Sequence, residues 1–276
     1  MSTPPKAKRQ KTGEGVVSSW PRFSERLDEK ETKDLFKDKG YIRADGFISD
    51  EELKAIKNEL KRYENDVVPD LPPKMAFYES KGKKDSIIRL ERMLDHDDFF
   101  KDLGESPAFN GLADLLLNEE CIPNNVQYFS KPPGAKCTPP HQDGKYFMHD
   151  RGITFWLALD DADAENGCLY YVPQSDRKGE LEHRKTDALG FSQALVTYED
   201  WMEETEDEMA VKKGSLLGHH PYMVHRAGDN KSEERWRPAL GLTYWAKSAV
   251  NDKDLQAKHA AYHAKLMNEL SDKGRI

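Results

Sequence analysis

The stretch Thr138-Pro139-Pro140-His141-Gln142-Asp143-Gly144 carries an imidazole and a carboxylate two residues apart. Side chains of an extended segment alternate with period two, so His141 and Asp143 are expected to project to one side and grip a single metal ion. Two ligands do not make a site. The third is expected from His219-His220-Pro221-Tyr222-Met223-Val224-His225. His219 and His220 abut a proline, whereas His225 follows an extended run and heads the turn Ala227-Gly228-Asp229-Asn230, so His225 is the choice. Two histidines and one carboxylate form the facial triad of non-haem Fe(II) oxygenases, which leaves the opposite positions open for a cosubstrate and O2. A second His-x-acid pattern, His96-Asp97-Asp98, lies in a charge-rich stretch of helical character. Residues two apart on a helix do not share a face, and that copy reads as solvated surface.

The elements that must position these residues follow from periodicity and punctuation. A helix is expected from Phe23 to the stop at Gly40, and a short strand over residues 41–48. Ser49 with Glu52 three residues on is a capping box, opening a helix whose stripe is Leu53, Ile56, Leu60 and Tyr63. Residues 86–90 read as a strand carrying Arg89, and Phe109 to Leu117 as a helix. From Asn125 onward strands and turns dominate, over residues 126–130, 152–159, 168–173, 214–218 and 238–245, with a strong turn at Asn166-Gly167. A charged amphipathic helix over 250–270 follows. Many short strands after a helical region predict a mainly β fold, a jelly roll with helical buttresses.

The totals narrow the class. The chain has 276 residues, a formal charge of −8 and three cysteines, Cys121, Cys137 and Cys168. With a pI near 5.7, nucleic-acid binding is not expected. An odd cysteine count without a signal-peptide pattern suggests a reduced intracellular compartment. A mean hydropathy of −0.86 and the absence of a long apolar run argue against a membrane span. Residues 1–20, rich in Pro, Lys, Gly and Ser, are expected to be a disordered basic tail, and residues 21–276 a single domain. Within that domain the helical part spans about 21–120, the jelly-roll core about 121–247 and the closing helix about 250–270. The protein is expected to be a cytoplasmic monomer. The cluster Lys6, Lys8, Arg9, Lys11 allows a nuclear address, and the C-terminus carries no clear peroxisomal signal.

Several ordered motifs carry a family resemblance: Pro140-His141-Gln142-Asp143, residues 156–161, residues 165–173 and His220 to Arg237, with Lys39-Gly40-Tyr41 and residues 45–49 upstream. The sequence resembles the phytanoyl-CoA dioxygenase family of Fe(II)/2-oxoglutarate oxygenases over most of residues 35–245. The resemblance implies a double-stranded β-helix holding Fe(II) by His141, Asp143 and His225. It also implies 2-oxoglutarate on the iron, its far carboxylate held by a basic residue 10 to 12 positions after the distal histidine. Arg235 and Arg237 both qualify. Arg237 immediately precedes the apolar strand and is the choice, since a guanidinium fork grips a carboxylate and stays charged, whereas Arg235 is expected to pair with Glu233 or Glu234 on the surface. Trp156 matches a tryptophan beside the cosubstrate, Gln127 stands near a frequent methionine, and Arg89 is a candidate basic contact from the N-terminal region. His220 is expected as a packed histidine near the site, and Ala227 replaces a frequent small hydroxyl residue.

Together these readings give a 2-oxoglutarate-dependent dioxygenase that consumes O2, releases succinate and CO2, hydroxylates a C–H of a small or lipid-like substrate such as an acyl-CoA, and is supported in vitro by ascorbate. An intact Asp143 favours hydroxylation over halogenation. Two alternatives stand beside it: a 2-oxoglutarate-binding sensor, and a metal-dependent cupin-type hydrolase or isomerase, which has no need of Arg237. Residues 174–210, with an acidic run from Glu199 to Glu208, are a candidate lid.

Overall fold

A computed structural model describes residues 17–72, 74–79, 86–186 and 193–272. Local rules shape the N-terminal part. The helix Glu29–Lys39 begins where the Asp28 carboxylate accepts from the Glu31 amide and ends at Gly40, whose φ of 80° suits a residue without Cβ. Only a 3-10 turn, Phe23–Glu25, precedes it, so the helix starts later than the periodicity suggests. The helix Asp50–Asp66 carries the expected capping box and buries Leu53, Ile56, Leu60 and Tyr63. Val17 and Trp20 are also buried in the main core. Packing onto the core thus includes residues 17 and 20, where burying apolar side chains offsets the ordering entropy. Residues 1–16 of the expected tail lie outside the described residues.

The described residues form thirteen strands, in chain order β1 (Tyr41–Ala44), β2 (Ala76–Tyr78), β3 (Ile87–Leu90), β4 (Cys121–Lys131), β5 (Thr138–His141), β6 (Gly152–Ala158), β7 (Leu169–Tyr171), β8 (His183–Lys185), β9 (Gln193–Leu195), β10 (Asp207–Met209), β11 (Leu216–His219), β12 (His225–Ala227) and β13 (Arg237–Ala246). The larger sheet runs β1-β11-β6-β13-β4-β3-β2 and the smaller β10-β7-β12-β5, all antiparallel, with β8 and β9 forming a separate hairpin. This is the double-stranded β-helix. The region expected to be helical thus also supplies three strands of the large sheet.

Alternation sorts the large sheet into two faces. Ile153, Phe155 and Leu157 of β6 pack with Ile42, Leu216, Leu240, Leu242 and the helices, whereas Trp156 and Ala158 face the small sheet with Leu217, Ala239, Leu169 and Tyr171. All seven residues of β6 are consequently buried. Neighbouring strands approach closely at Gly218, where a Cβ would stand 2.8 Å from the Phe155 ring.

The closing helical segment is broken at Asp252 into Lys247–Asn251 and Lys253–Asp272. Asp252 pairs with Arg151 at 2.8 Å and caps the Leu255 amide. Asp97, expected in a solvated stretch, is instead 7 % exposed: it caps the Phe99 amide and takes both oxygens' worth of bonds from Arg62. Among the described residues no helix is long and apolar enough to cross a membrane.

This packing sets a stability order. Leu157→Ala, at a fully buried position between sheet and helices, is expected to cost about 2–5 kcal/mol. Ser49→Ala, which removes only the cap, is expected to cost ~1 kcal/mol. Urea titrations followed by circular dichroism check both, and equal costs would contradict the layered core described here.

Candidate functional site

His141 ends β5 and His225 begins β12, and the two are register partners. Each ring is fixed by a backbone carbonyl two residues back: His141 Nδ1 donates to Pro139 at 2.8 Å and His225 Nδ1 to Met223 at 3.0 Å. That tautomer puts the acceptor lone pair of each ring on Nε2. Both point at Asp143, whose Oδ1 lies 3.8 Å from each Nε2. The three ligating atoms lie within 4.8 Å of one another, a spacing that one metal ion fits.

Asp143 reaches this point in a way the period-two expectation did not foresee. Its backbone is helical, at φ −64° and ψ −29°, and it starts the helical turn Gly144–Phe147 rather than an extended segment. The turn follows from Gly144. Its amide donates to Pro221, and a Cβ there would collide with the Tyr222 ring at 2.5 Å, so only glycine lets the chain fold over immediately after the carboxylate. Gln142 between the two ligands is fully buried. Its side chain donates to the carbonyls of Gly179 and Tyr222 and accepts from the Leu181 amide, clamping the stretch from outside.

The other oxygen of Asp143 is saturated. Oδ2 accepts from Thr154 Oγ1 at 2.6 Å and from His219 Nε2 at 3.1 Å, and Tyr171 donates to His219 Nδ1 at 2.9 Å. His219 was not singled out from the sequence, where His220 seemed the nearer packed histidine. The alternation of β11 decides otherwise: His219 is 2 % exposed and faces inward. His220 points away, packing near Phe36 and accepting from the Tyr222 amide. Burial lowers the pKa of His141 and of His225, favouring the neutral imidazoles that a metal needs. Burial would raise Asp143, but the His219 hydrogen bond and the neighbouring imidazoles outweigh it and hold the carboxyl well below its usual range.

A cavity of about 410 Å³ opens beside this cluster, lined by His141, Asp143, Trp156, His219, His225 and Arg237 among others. Arg237, the first residue of β13, is 6 % exposed, and its Nε and Nη1 are buried without a hydrogen-bond partner. It lies 5.1 Å from the Trp156 ring centroid, and burial pushes its pKa down to about 10. Arg235 pairs with Asp163 and Glu165, not with the glutamates next to it in sequence. Arg89 lines the cavity, but its charge is engaged by Glu91 at 2.5 Å, and it donates to Gln127, which stands behind it and does not line the wall. Ala227 and Lys131 also line the cavity, and Lys131, 7 % exposed, was missed in the sequence because a lone lysine before Pro-Pro-Gly gives no signal of burial. No described residue of 174–210 lines it; the described part of that segment packs against β5 and around Leu195, Met202 and Val224.

Among solved structures, EvdO2 from Micromonospora carbonacea var. aurantiaca, crystallised with 2-oxoglutarate, superposes with a TM-score of 0.63 at 22% identity, covering 80% of this chain and 91% of that one. EctD from S. alaskensis with bound Fe gives 0.66 at 16% identity, over 81% and 78% of the two chains. At these identities the likeness is one of fold. In sequence, a probable alpha-ketoglutarate-dependent hypophosphite dioxygenase from Stutzerimonas stutzeri is 25% identical over 72% of this chain and 73% of its own length. Phytanoyl-CoA dioxygenase of Arabidopsis thaliana is 25% identical over 73% and 83%. The family model for phytanoyl-CoA dioxygenase (PhyH) matches residues 36–239. That span runs from before β1 to the start of β13 and takes in the histidine and carboxylate cluster and Arg237, and the chain belongs to the phytanoyl-CoA dioxygenase family.

Proposed function

We propose that this 2-oxoglutarate-dependent dioxygenase holds Fe(II) with His141, Asp143 and His225 and takes the distal carboxylate of 2-oxoglutarate on Arg237, to hydroxylate a C–H bond of a small molecule or of the acyl end of a longer one. One observation carries the reading: a two-histidine, one-carboxylate cluster and a buried guanidinium with unpartnered donors line the same cavity. Burying an arginine without a counter-ion is costly unless a ligand supplies the anion. A cupin-type hydrolase has no use for that anion.

The iron with 2-oxoglutarate and O2 supplies the oxidising chemistry, in which the cosubstrate leaves as succinate and CO2. The chain's own groups bind and orient. Pro139 and Met223 carbonyls hold the two imidazoles with Nε2 toward the ion. Thr154 and His219 occupy Asp143 Oδ2, so the carboxylate offers Oδ1 alone and leaves coordination positions for ligands. Trp156 packs on Arg237 and fixes the direction in which its fork faces. The volume of about 410 Å³ is at the small end for a ligand site, so the substrate presents only its reacting part beside the cosubstrate.

The first test is succinate formation from 2-oxoglutarate by the purified protein with Fe(II) and ascorbate and no added substrate. Turnover is expected in the wild type and not in Asp143→Ala, and Arg237→Ala is expected to raise the KM for 2-oxoglutarate by about 30-fold or more, as for truncation of one partner of a buried charge pair. A wild type that fails to bind 2-oxoglutarate would end this reading.

A second test addresses the Asp143 support. His219→Phe keeps the volume and removes the hydrogen bond, and is expected to weaken Fe(II) affinity about 10–100-fold, with His219→Gln recovering most of it. Metal titrations by calorimetry, together with the nitrosyl-adduct spin-resonance spectrum of the loaded protein, decide it; unchanged affinity and an unchanged spectrum would remove His219 from the site.

A further inference from the structure

Arg237 is not the only cation in the cavity without an ion pair. Of the five lysines and arginines that line it among the described residues, Arg89 is paired with Glu91 and Arg226 with Glu206. Arg237, Lys131 and Lys136 have no ion pair among the described residues. Lys136 is exposed and its charge is solvated by water. Lys131 is not: it is 7 % exposed, in a wall shared with Trp156, Leu169 and Ala227. An ammonium so placed is expensive to keep charged, and its pKa is pushed down to about 8 by burial and by the neighbouring Arg237 guanidinium.

The backbone places the two cations together. Lys131 on β4 is the register partner of Arg237 on β13. Directly opposed residues of an antiparallel pair present their side chains on the same face, so the two stems enter the cavity side by side. Room for the lysine stem comes from Gly167, with φ 82°, where a Cβ would stand 3.1 Å from Lys131 Cδ. Across the cavity, β12 presents His225 and, two residues on along the same face, Ala227, which has no donor to offer an anion.

Resting on the dioxygenase reading, we propose that Lys131 is a second cation of the cosubstrate pocket, binding the distal carboxylate of 2-oxoglutarate jointly with Arg237. A carboxylate seated on Arg237 lies beside Lys131 by register, and it offsets the repulsion between the two positive groups. The alternative, an anionic group of the primary substrate on Lys131, would set two anions against each other next to the same arginine. One carboxylate shared by two cations satisfies both and leaves the rest of the cavity to substrate. Lys131 is then a determinant of cosubstrate choice, favouring 2-oxo acids with a distal carboxylate over 2-oxo monocarboxylates.

The experiment deletes the charge from each partner in turn. Anaerobic binding of 2-oxoglutarate and of 2-oxopentanoate, its analogue without the distal carboxylate, is measured on the Fe(II)-loaded protein by calorimetry and by the charge-transfer absorption of the complex, for the wild type, Lys131→Met and Lys131→Arg. Lys131→Met is expected to weaken 2-oxoglutarate binding by about 10–100-fold, the loss of one charge-assisted hydrogen bond, and to leave 2-oxopentanoate binding unchanged, with Lys131→Arg restoring the preference. Equal losses for both ligands, or none for 2-oxoglutarate, would overturn the assignment. A wild type that binds neither ligand would overturn the dioxygenase reading and this inference with it, a different result from wild-type binding that is indifferent to Lys131.

Discussion

Burying a carboxylate away from water is costly unless its oxygens are given partners, and the interior of this fold is arranged around one such group, Asp143. The partners come from separate strands. β6 supplies Thr154 and β11 supplies His219 to one oxygen, while β5 and β12 bring His141 and His225 to the other. Two of these strands belong to the large sheet and two to the small, so the constellation exists only while the sheets face each other at their packed distance. The division of labour between the oxygens also sets the chemistry. An oxygen already accepting two hydrogen bonds is a poor second ligand, and Asp143 is held to one point of attachment.

The cavity beside it differs from the buried charges Glu52 and Asp97, each of which has its arginine, Arg26 and Arg62. Arg237 and Lys131 are buried together with like charge, and neither has an ion pair among the described residues. Departures of this kind mark places where the missing partner is a ligand. The net charge of −8 hides this, because the acidic surplus is distributed over the surface while the cavity wall is locally basic.

Much of this was legible in the sequence, for identifiable reasons. The clustering of His141, Asp143 and His225, the Ser49 capping box and the burial of Arg237 rather than Arg235 each rest on a local rule or a family motif that the tertiary structure leaves intact. The failures have a common cause. The period-two expectation placed Asp143 correctly beside His141 but by the wrong backbone, since the turn at Gly144 depends on the Tyr222 ring, which is distant in sequence. His219 was passed over because two adjacent histidines can be told apart only by the face of β11 each takes, and that is decided by pairing with β1 and β6. Lys131 gave no signal because its burial comes from β13 and the Asn166-Gly167 turn, not from its own neighbours. Asp97 seemed solvated for the same reason, its partner Arg62 being 35 positions away.

The described residues of the segment from Gln174 to Ala210 make contacts that bear on the site from another direction. Gln142 bonds Gly179 and Leu181, the Gln142 amide reaches His183 on β8, and Ser175 donates to the sulfur of Met223 and accepts from the Val224 amide, one residue before His225. These contacts brace the stretches that carry His141, Asp143 and His225. The positions of the three side chains are thus held by folded chain, and the described residues of 174–210 support them without lining the cavity, whose wall takes in Phe77, Glu79, Lys136 and Cys137 instead.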